Sequence, residues 1–213
     1  MASLPLPSLV ALPASILDMA EIAQQLEHHG YIVLNNPLQI KLLDELRLRC
    51  QDDDLNRFHT AQIGRGTDKS SSNLVRGDVI SWLGQIDLSD MGYLAWMESL
   101  RSGLNAALYL GLFDYECHYA IYGAGTGYAK HLDVLQGKKN RILSTVLYLN
   151  QNWQCNDGGE LDVYDPTGVN IIATVQPTYG TMIVFLSETA PHAVRISHTT
   201  RRSIAGWFRV RGS

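Results

Sequence analysis

The sequence predicts a mainly β fold with flanking helices, an antiparallel sandwich or barrel with its helices packed outside. Two patterns predict it. Apolar residues recur at helical spacing only before residue 112, whereas beyond Asp114 short aromatic and β-branched runs alternate with glycine-rich turn clusters. The turns read GAGTG, QGKK, NDGG, DPTG and PTYG. Six or more short strands at this spacing within roughly 100 residues are the signature of a closed or doubly layered antiparallel sheet.

In chain order, Ile16, Met19, Ala20, Ile22, Ala23 and Leu26 define a first amphipathic helix, with Ser15 as its expected N-cap and Gly30 as its stop. Tyr31–Leu34 follows as a short strand. Leu38, Leu42, Leu43, Leu46 and Leu48 mark a second helix that ends near the acidic cluster 52–54, expected to be solvated. Between Gly64 and Asn73 no residue is apolar, so this stretch reads as a long loop, and the span from Gly64 to Trp82 reads as a lid. A third helix is expected from Leu88 to Leu110, with Leu94, Met97, Leu100, Leu104, Ala107 and Leu108 on one side. The strands are then Tyr115–Tyr122, Arg141–Leu149, Val169–Val175, Thr181–Leu186, Ala193–Ile196 and Arg202–Val210. The whole chain, 1–213, is read as one domain, with 1–111 as helical support and lid and 112–213 as the β core.

Composition narrows the function. Of 213 residues, 46% are apolar and 18% charged, and the net charge is −4, so no broad attraction to nucleic acid or to anionic lipid is expected. The three cysteines lie far apart with no C-x-x-C pair, which argues against a disulfide framework or a thiolate zinc site. The apolar segment Met1–Ser15 is broken by three prolines, and the first Lys or Arg of the chain is Lys41, so the segment does not read as a secretory leader. A reducing cytoplasm is the expected location.

The chemistry concentrates in the β half. His131 and Asp133, separated by one residue, are expected to share a face of a strand that begins at Tyr128, and His192 opens another strand. Two imidazoles and one carboxylate converging inside a barrel would hold one face of a divalent ion and leave the other open, the donor set suited to non-haem Fe(II). Nine residues after His192, alternation along Arg201, Ser203, Ala205 and Trp207 would turn a guanidinium inward beside small side chains. A buried Arg needs an anionic partner, and its planar fork suits a carboxylate, to which Tyr148 could add a hydroxyl donor. GAGTG lacks the Lys-Ser/Thr ending of a phosphate loop and precedes a strand, so it reads as a turn. His28, His29, His59, His118 and His198 have no ligand-spaced partners and are expected at the surface or in loops. Cys117 and Cys155 read as inert packing residues, and Arg76-Gly77-Asp78 as no adhesion motif.

Taken in order, Y-G-A-G-T-G-Y-A-K-H-L-D (122–133), Gly158-Gly159-Glu160-Leu161, His192 and Arg201 resemble the 2-oxoglutarate and Fe(II)-dependent prolyl 4-hydroxylases. R-G-D-V-I-S-W-L (76–83), G-T-G-Y (125–128) and Y-L-N-Q-N-W (148–153) are similar to the hypoxia-inducible-factor prolyl hydroxylase branch, and Arg201 stands where collagen-type enzymes usually carry Lys. The resemblance implies a double-stranded β-helix of jelly-roll or cupin type. It implies that His131, Asp133 and His192 bind iron and that Arg201 and Tyr148 hold 2-oxoglutarate. Tyr122 and Tyr128 would line the cosubstrate pocket, Trp207 would pack near the metal, and Arg76, Asp78 and Arg141 would face the substrate. Ala205 departs from the hydroxyl residue of the animal enzymes. By the same resemblance O2 is a cosubstrate, ascorbate a supporting reductant, and the substrate a prolyl loop of a protein, with elongation factor Tu a candidate from bacterial members. Two alternatives stay open at this stage: an oxygenase of a free amino acid or other small molecule, and a non-catalytic binding module built on the same barrel.

Overall fold

A computed structural model describes residues 18–51, 57–61, 76–134 and 140–212. Helix α1 spans Met19–His29, and its first turn is capped by Asp18, whose carboxylate accepts from the amides of Ala20 and Glu21. The expected cap at Ser15 lies outside the described residues. Gly30 ends the helix in the left-handed region, at φ 76, where the lack of a Cβ removes the usual penalty. Strand β1 (Tyr31–Asn35), helix α2 (Ile40–Gln51), the two-residue β2 (His59–Thr60), β3 (Asp78–Trp82) and helix α3 (Leu88–Leu108) complete the N-terminal half. The acidic cluster 52–54 and the whole of the Gly64–Asn73 loop also fall outside the description.

Eight strands then follow in quick succession, as the turn spacing predicted: β4 (Asp114–Tyr122), β5 (Tyr128–His131), β6 (Arg141–Tyr148), β7 (Leu161–Tyr164), β8 (Ile171–Val175), β9 (Thr181–Leu186), β10 (His192–Val194) and β11 (Arg201–Arg209). They form two antiparallel sheets. One has seven strands in the order β1-β9-β6-β11-β4-β3-β2, and the other has four, in the order β5-β10-β7-β8. This is the double-stranded β-helix.

Period-two burial divides the larger sheet between two cores. Leu143, Leu147, Met182, Val184, Ile204 and Phe208 face the helices, where Ile22 and Leu26 of α1, Leu43 and Leu46 of α2, and Tyr93, Met97, Leu100 and Leu104 of α3 close over them. Their alternate neighbours, among them Ala120, Tyr122, Tyr148, Ile183 and Phe185, face the smaller sheet together with Leu161, Val163 and Val194. The helices therefore stiffen one face of a sheet whose other face is free to build a site. Ala107, expected on the apolar side of α3, is exposed, because Tyr109 has turned into the left-handed region and the helix is ending there. No helix among the described residues is long and apolar enough to cross a membrane.

Three expectations change. The span read as a lid contains β3, which pairs along its whole length with β4 and contributes buried Asp78, Ile80 and Ser81. Its 78–82 portion is thus sheet, and the short apolar run was masked by the polar tract before it. β7, also missed, is only four residues long. Cys155 is exposed in a 3-10 turn rather than packed, whereas Cys117 is buried.

Candidate active site

Between the two sheets lies an open cavity of about 620 Å³, lined by ten of the eleven residues singled out from sequence: Arg76, Asp78, Tyr122, Tyr128, His131, Asp133, Arg141, His192, Arg201 and Trp207. Tyr148, the eleventh, is fully buried behind Arg201, whose guanidinium carbon lies 5.0 Å from its ring centroid.

Antiparallel pairing of β5 with β10 sets His131 directly opposite His192. Asp133 joins them from outside the strand. β5 ends at His131 and Asp133 sits in a bend, so strand alternation does not explain the convergence; the turn after the strand brings the carboxylate back. His131 Nε2 lies 3.6 Å from Asp133 Oδ1, and His192 Nε2 lies 3.6 Å from Asp133 Oδ2. One donor atom from each residue falls within a 4.8 Å cluster.

The hydrogen bonds fix which atoms face inward. His131 Nδ1 donates to the carbonyl of Ala129 at 2.8 Å, and His192 Nδ1 donates to that of Ala190 at 3.1 Å. A carbonyl can only accept, so both protons reside on Nδ1 and both Nε2 lone pairs point at the cluster. Burial pushes the His192 imidazole down to about 4, with the Asp133 charge opposing, so the ring is neutral at pH 7. Burial works against ionisation of Asp133, yet His192, His131 and the Ser144 hydroxyl together hold it well below the usual carboxylate range. Tyr128 stacks on His131 with centroids 3.7 Å apart, and Phe185 meets His192 edge-on at 4.7 Å. Two inward-facing imidazole nitrogens and one carboxylate, ionised and braced, fit a divalent ion.

Deeper in the cavity, Arg201 is 1% exposed. Its Nε donates to Gly159 O at 2.9 Å and its Nη1 to Ser203 Oγ at 3.2 Å, but no carboxylate among the described residues pairs with it. Gly159 takes φ 68, and a Cβ there would come within 3.0 Å of Arg201 Cδ, so the backbone approach that orients the guanidinium needs glycine. The Tyr148 hydroxyl is buried without a hydrogen-bond partner among the described residues, and burial pushes it up to about 12. An unbalanced buried cation beside an unsatisfied hydroxyl is costly unless an anion completes it. Such a pair fits a carboxylate.

At the other side of the cavity, Arg76 forks onto Asp78 at 2.7 and 3.0 Å and lies over the Tyr128 ring. Arg141 lies over Trp207, 3.6 Å from its centroid. His118, expected at the surface, is 2% exposed in the cavity wall, between Trp82 and Trp207. Counting ligand spacings misses it. Alternation along β4 from Tyr122 through Ala120 would have found it.

A fold of this kind and a site with these donors define the class. Residues 117–209 match the family described as the 2OG-Fe(II) oxygenase superfamily. Over 149 residues the chain is 33% identical to human prolyl hydroxylase EGLN3, covering 65% of this chain and 60% of the relative. Human Egl nine homolog 1 is 29% identical over 211 residues, covering 92% of this chain and 48% of the relative. The chain thus spans about three fifths or less of the length of these curated relatives. Among solved structures, a Pseudomonas putida prolyl-4-hydroxylase superposes with a TM-score of 0.80 and 35% identity, covering 91% of this chain and 99% of that one. A Trichoplax adhaerens prolyl hydroxylase, solved with a peptide fragment of the hypoxia inducible factor oxygen degradation domain, shares the fold at a TM-score of 0.73 and 24% identity, covering 90% and 88%. The chain is a 2OG-Fe(II) oxygenase by superfamily, and within it belongs to the prolyl hydroxylases as a homologue of the EGLN proteins. That family uses Fe(II), 2-oxoglutarate and O2.

Proposed function

We propose that this chain, acting as one catalytic unit, hydroxylates a prolyl residue of a protein substrate at C4, with conversion of 2-oxoglutarate and O2 to succinate and CO2. The observation that carries the reading is a single cavity holding both an inward-facing His131, Asp133 and His192 cluster and a buried Arg201 without a carboxylate partner among the described residues. His131, Asp133 and His192 would hold Fe(II), and Arg201 with Tyr148 the distal carboxylate of 2-oxoglutarate. Bound iron supplies the redox chemistry by which O2 is reduced at the expense of 2-oxoglutarate, a step with no counterpart among protein side chains.

The chain's own residues set the stage for that chemistry. Ala129 and Ala190 keep both imidazoles in the tautomer that offers Nε2. Ser144 bonds Asp133 Oδ2 and leaves Oδ1 unencumbered by that hydroxyl. Arg201 and Ser203 orient an incoming dicarboxylate, and Tyr148 donates to it once its partner arrives. Leu161, Val146, Val194 and Ala205 give the cavity apolar walls that limit water near the reacting atoms. Tyr122 and Tyr128 frame the cosubstrate end, and Trp207 lies on the metal side under Arg141. Arg76, Asp78 and Arg141 border the side from which a prolyl segment would enter.

An open cavity bordered by Arg76, Asp78 and Arg141 favours a peptide over a small molecule, and resemblance to bacterial members makes elongation factor Tu the first protein to try. The test incubates the purified protein with Fe(II), ascorbate, 2-oxoglutarate and, separately, elongation factor Tu, prolyl peptides and free proline. Succinate is followed by NMR and a +16 Da shift by mass spectrometry. Hydroxylation of a prolyl peptide or protein is the expected outcome, and turnover of free proline alone would overturn the peptide reading.

A further inference from the structure

Asp133 supplies the only carboxylate of the described metal cluster from a point where regular backbone has already ended. Ser144 braces its side chain, but something else must hold its main chain. Arg141, at the start of β6, does so: Nη1 donates to the Asp133 carbonyl at 3.3 Å. Two further contacts fix Arg141, its bond from Nη2 to Glu116 Oε1 at 2.9 Å and its stacking over Trp207.

Glu116 is gripped in turn. Arg209 Nη1 donates to its other oxygen at 2.5 Å, and Arg209 forks onto Asp114 at 2.9 and 2.7 Å. Strand register explains the chain of charges. On β11 and β6, Arg209 and Arg141 are direct cross-strand partners, a like-charge pair that is unfavourable by itself. Asp114 and Glu116 of β4 sit opposite Arg209 and Trp207 on the far side of β11. Glu116 thereby touches both guanidiniums and neutralises their repulsion.

We propose that Glu116 is a positioning residue for the metal site: it holds Arg141 in the one orientation that ties down the backbone of Asp133. The assignment rests on the reading of His131, Asp133 and His192 as metal ligands. Without the Glu116 carboxylate, Arg141 loses its anchor and faces Arg209, whose charge Asp114 alone then balances, and turns toward solvent. The bend carrying Asp133 then loses its main-chain support, although Ser144 still reaches the side chain. Arg141 also spends donors inside the protein and so acts first as a support.

Mn(II) titration, followed by the EPR signal of the free ion, tests this on the full chain without turnover. The set is wild type, His131→Ala, Glu116→Gln, Arg141→Met and the Glu116→Gln/Arg141→Met double variant. Outer-sphere partners of metal ligands are worth about 10- to 100-fold in affinity, and a main-chain tie belongs at the low end, so Glu116→Gln and Arg141→Met should each weaken Mn(II) binding by about tenfold. Because Glu116 acts through Arg141, the double variant should lose no more than Arg141→Met alone. In the metal-free proteins, amide exchange of Leu132 to Val134 should quicken in Glu116→Gln while β6 and β9 are unchanged. Wild-type affinity in Glu116→Gln, losses that multiply in the double variant, or unaltered exchange at 132–134 would each overturn the proposal while the metal reading stands. Mn(II) binding that survives His131→Ala would remove the metal reading itself, and this proposal with it.

Discussion

Ser144 Oγ donates to Asp133 Oδ2 at 2.6 Å and contacts Ser187 Oγ at 2.9 Å, so the carboxylate between the two imidazoles is anchored from the opposite sheet. Removing the hydroxyl leaves Asp133 with a free rotor in an otherwise ordered cluster. Ser144→Ala should therefore weaken Mn(II) or Fe(II) binding by about tenfold, at the low end of outer-sphere effects, with little change in melting temperature. Calorimetric titration of the metal decides it.

Each imidazole supplies one of three protein donors, which leaves no spare ligand in the cluster. His131→Ala and His192→Ala should each abolish stoichiometric metal binding and turnover while preserving the far-UV circular dichroism of the parent. Equal metal affinity in both variants and wild type would refute the assignment.

Arg201 has no anionic partner among the described residues, so truncating it costs the incoming carboxylate its main attraction. Arg201→Ala should raise the 2-oxoglutarate requirement by the equivalent of roughly 2–5 kcal/mol, whereas Arg202→Ala, on the opposite face of β11, should be mild. Gly159→Ala should fall between them, because the added methyl meets Arg201 Cδ and the φ of 68 is strained for alanine. Initial rates against 2-oxoglutarate concentration give the ranking.

Asp78 has a fully buried side chain and is forked by Arg76, which makes it part of the fold before it is anything else. Breaking such a pair leaves an unpaired buried cation, and Asp78→Asn should lower stability by about 3–5 kcal/mol in urea denaturation. A variant as stable as wild type would restore a purely substrate-facing role for this residue.

His118 lies in the cavity wall, where burial, reinforced by Arg76 and Arg141 and opposed by Asp78 and the Tyr119 carbonyl, pushes its pKa down from 6.5 to about 4. The folded value is below the unfolded one, so unfolding takes up a proton between them. Stability is complete above about pH 6.5 and declines as pH falls to about 4, by at most about 3 kcal/mol from this group. His118→Leu should remove about one proton from the uptake measured through the pH dependence of the metal-free protein's urea midpoint.

Much of this was legible in the chain because β-strands write their two faces in alternate letters. Arg201, Ser203, Ala205 and Trp207 read as one inward face, and all four line the cavity. His131 and His192 were legible as ligands, but their exact opposition depends on the register of β5 with β10, which no local pattern encodes. Asp133 was placed on the right side for the wrong reason, since a bend and not a strand carries it. β3 escaped notice because its five residues follow a polar tract and owe their order to pairing with β4. Glu116 was invisible for the same cause: its role exists only where three strands meet.

Directly opposed His131 and His192 have one more implication, for mechanics. β5 is a four-residue strand at the end of its sheet whose ladder partner among the described strands is β10, with an irregular register beyond that histidine pair. An ion held by both imidazoles would rivet this edge in place, and a one-residue slip would turn one ligand to the other face and release it. Filling the centre would then also stabilise the sheet edge, and metal binding would add to the stability of the fold at this seam.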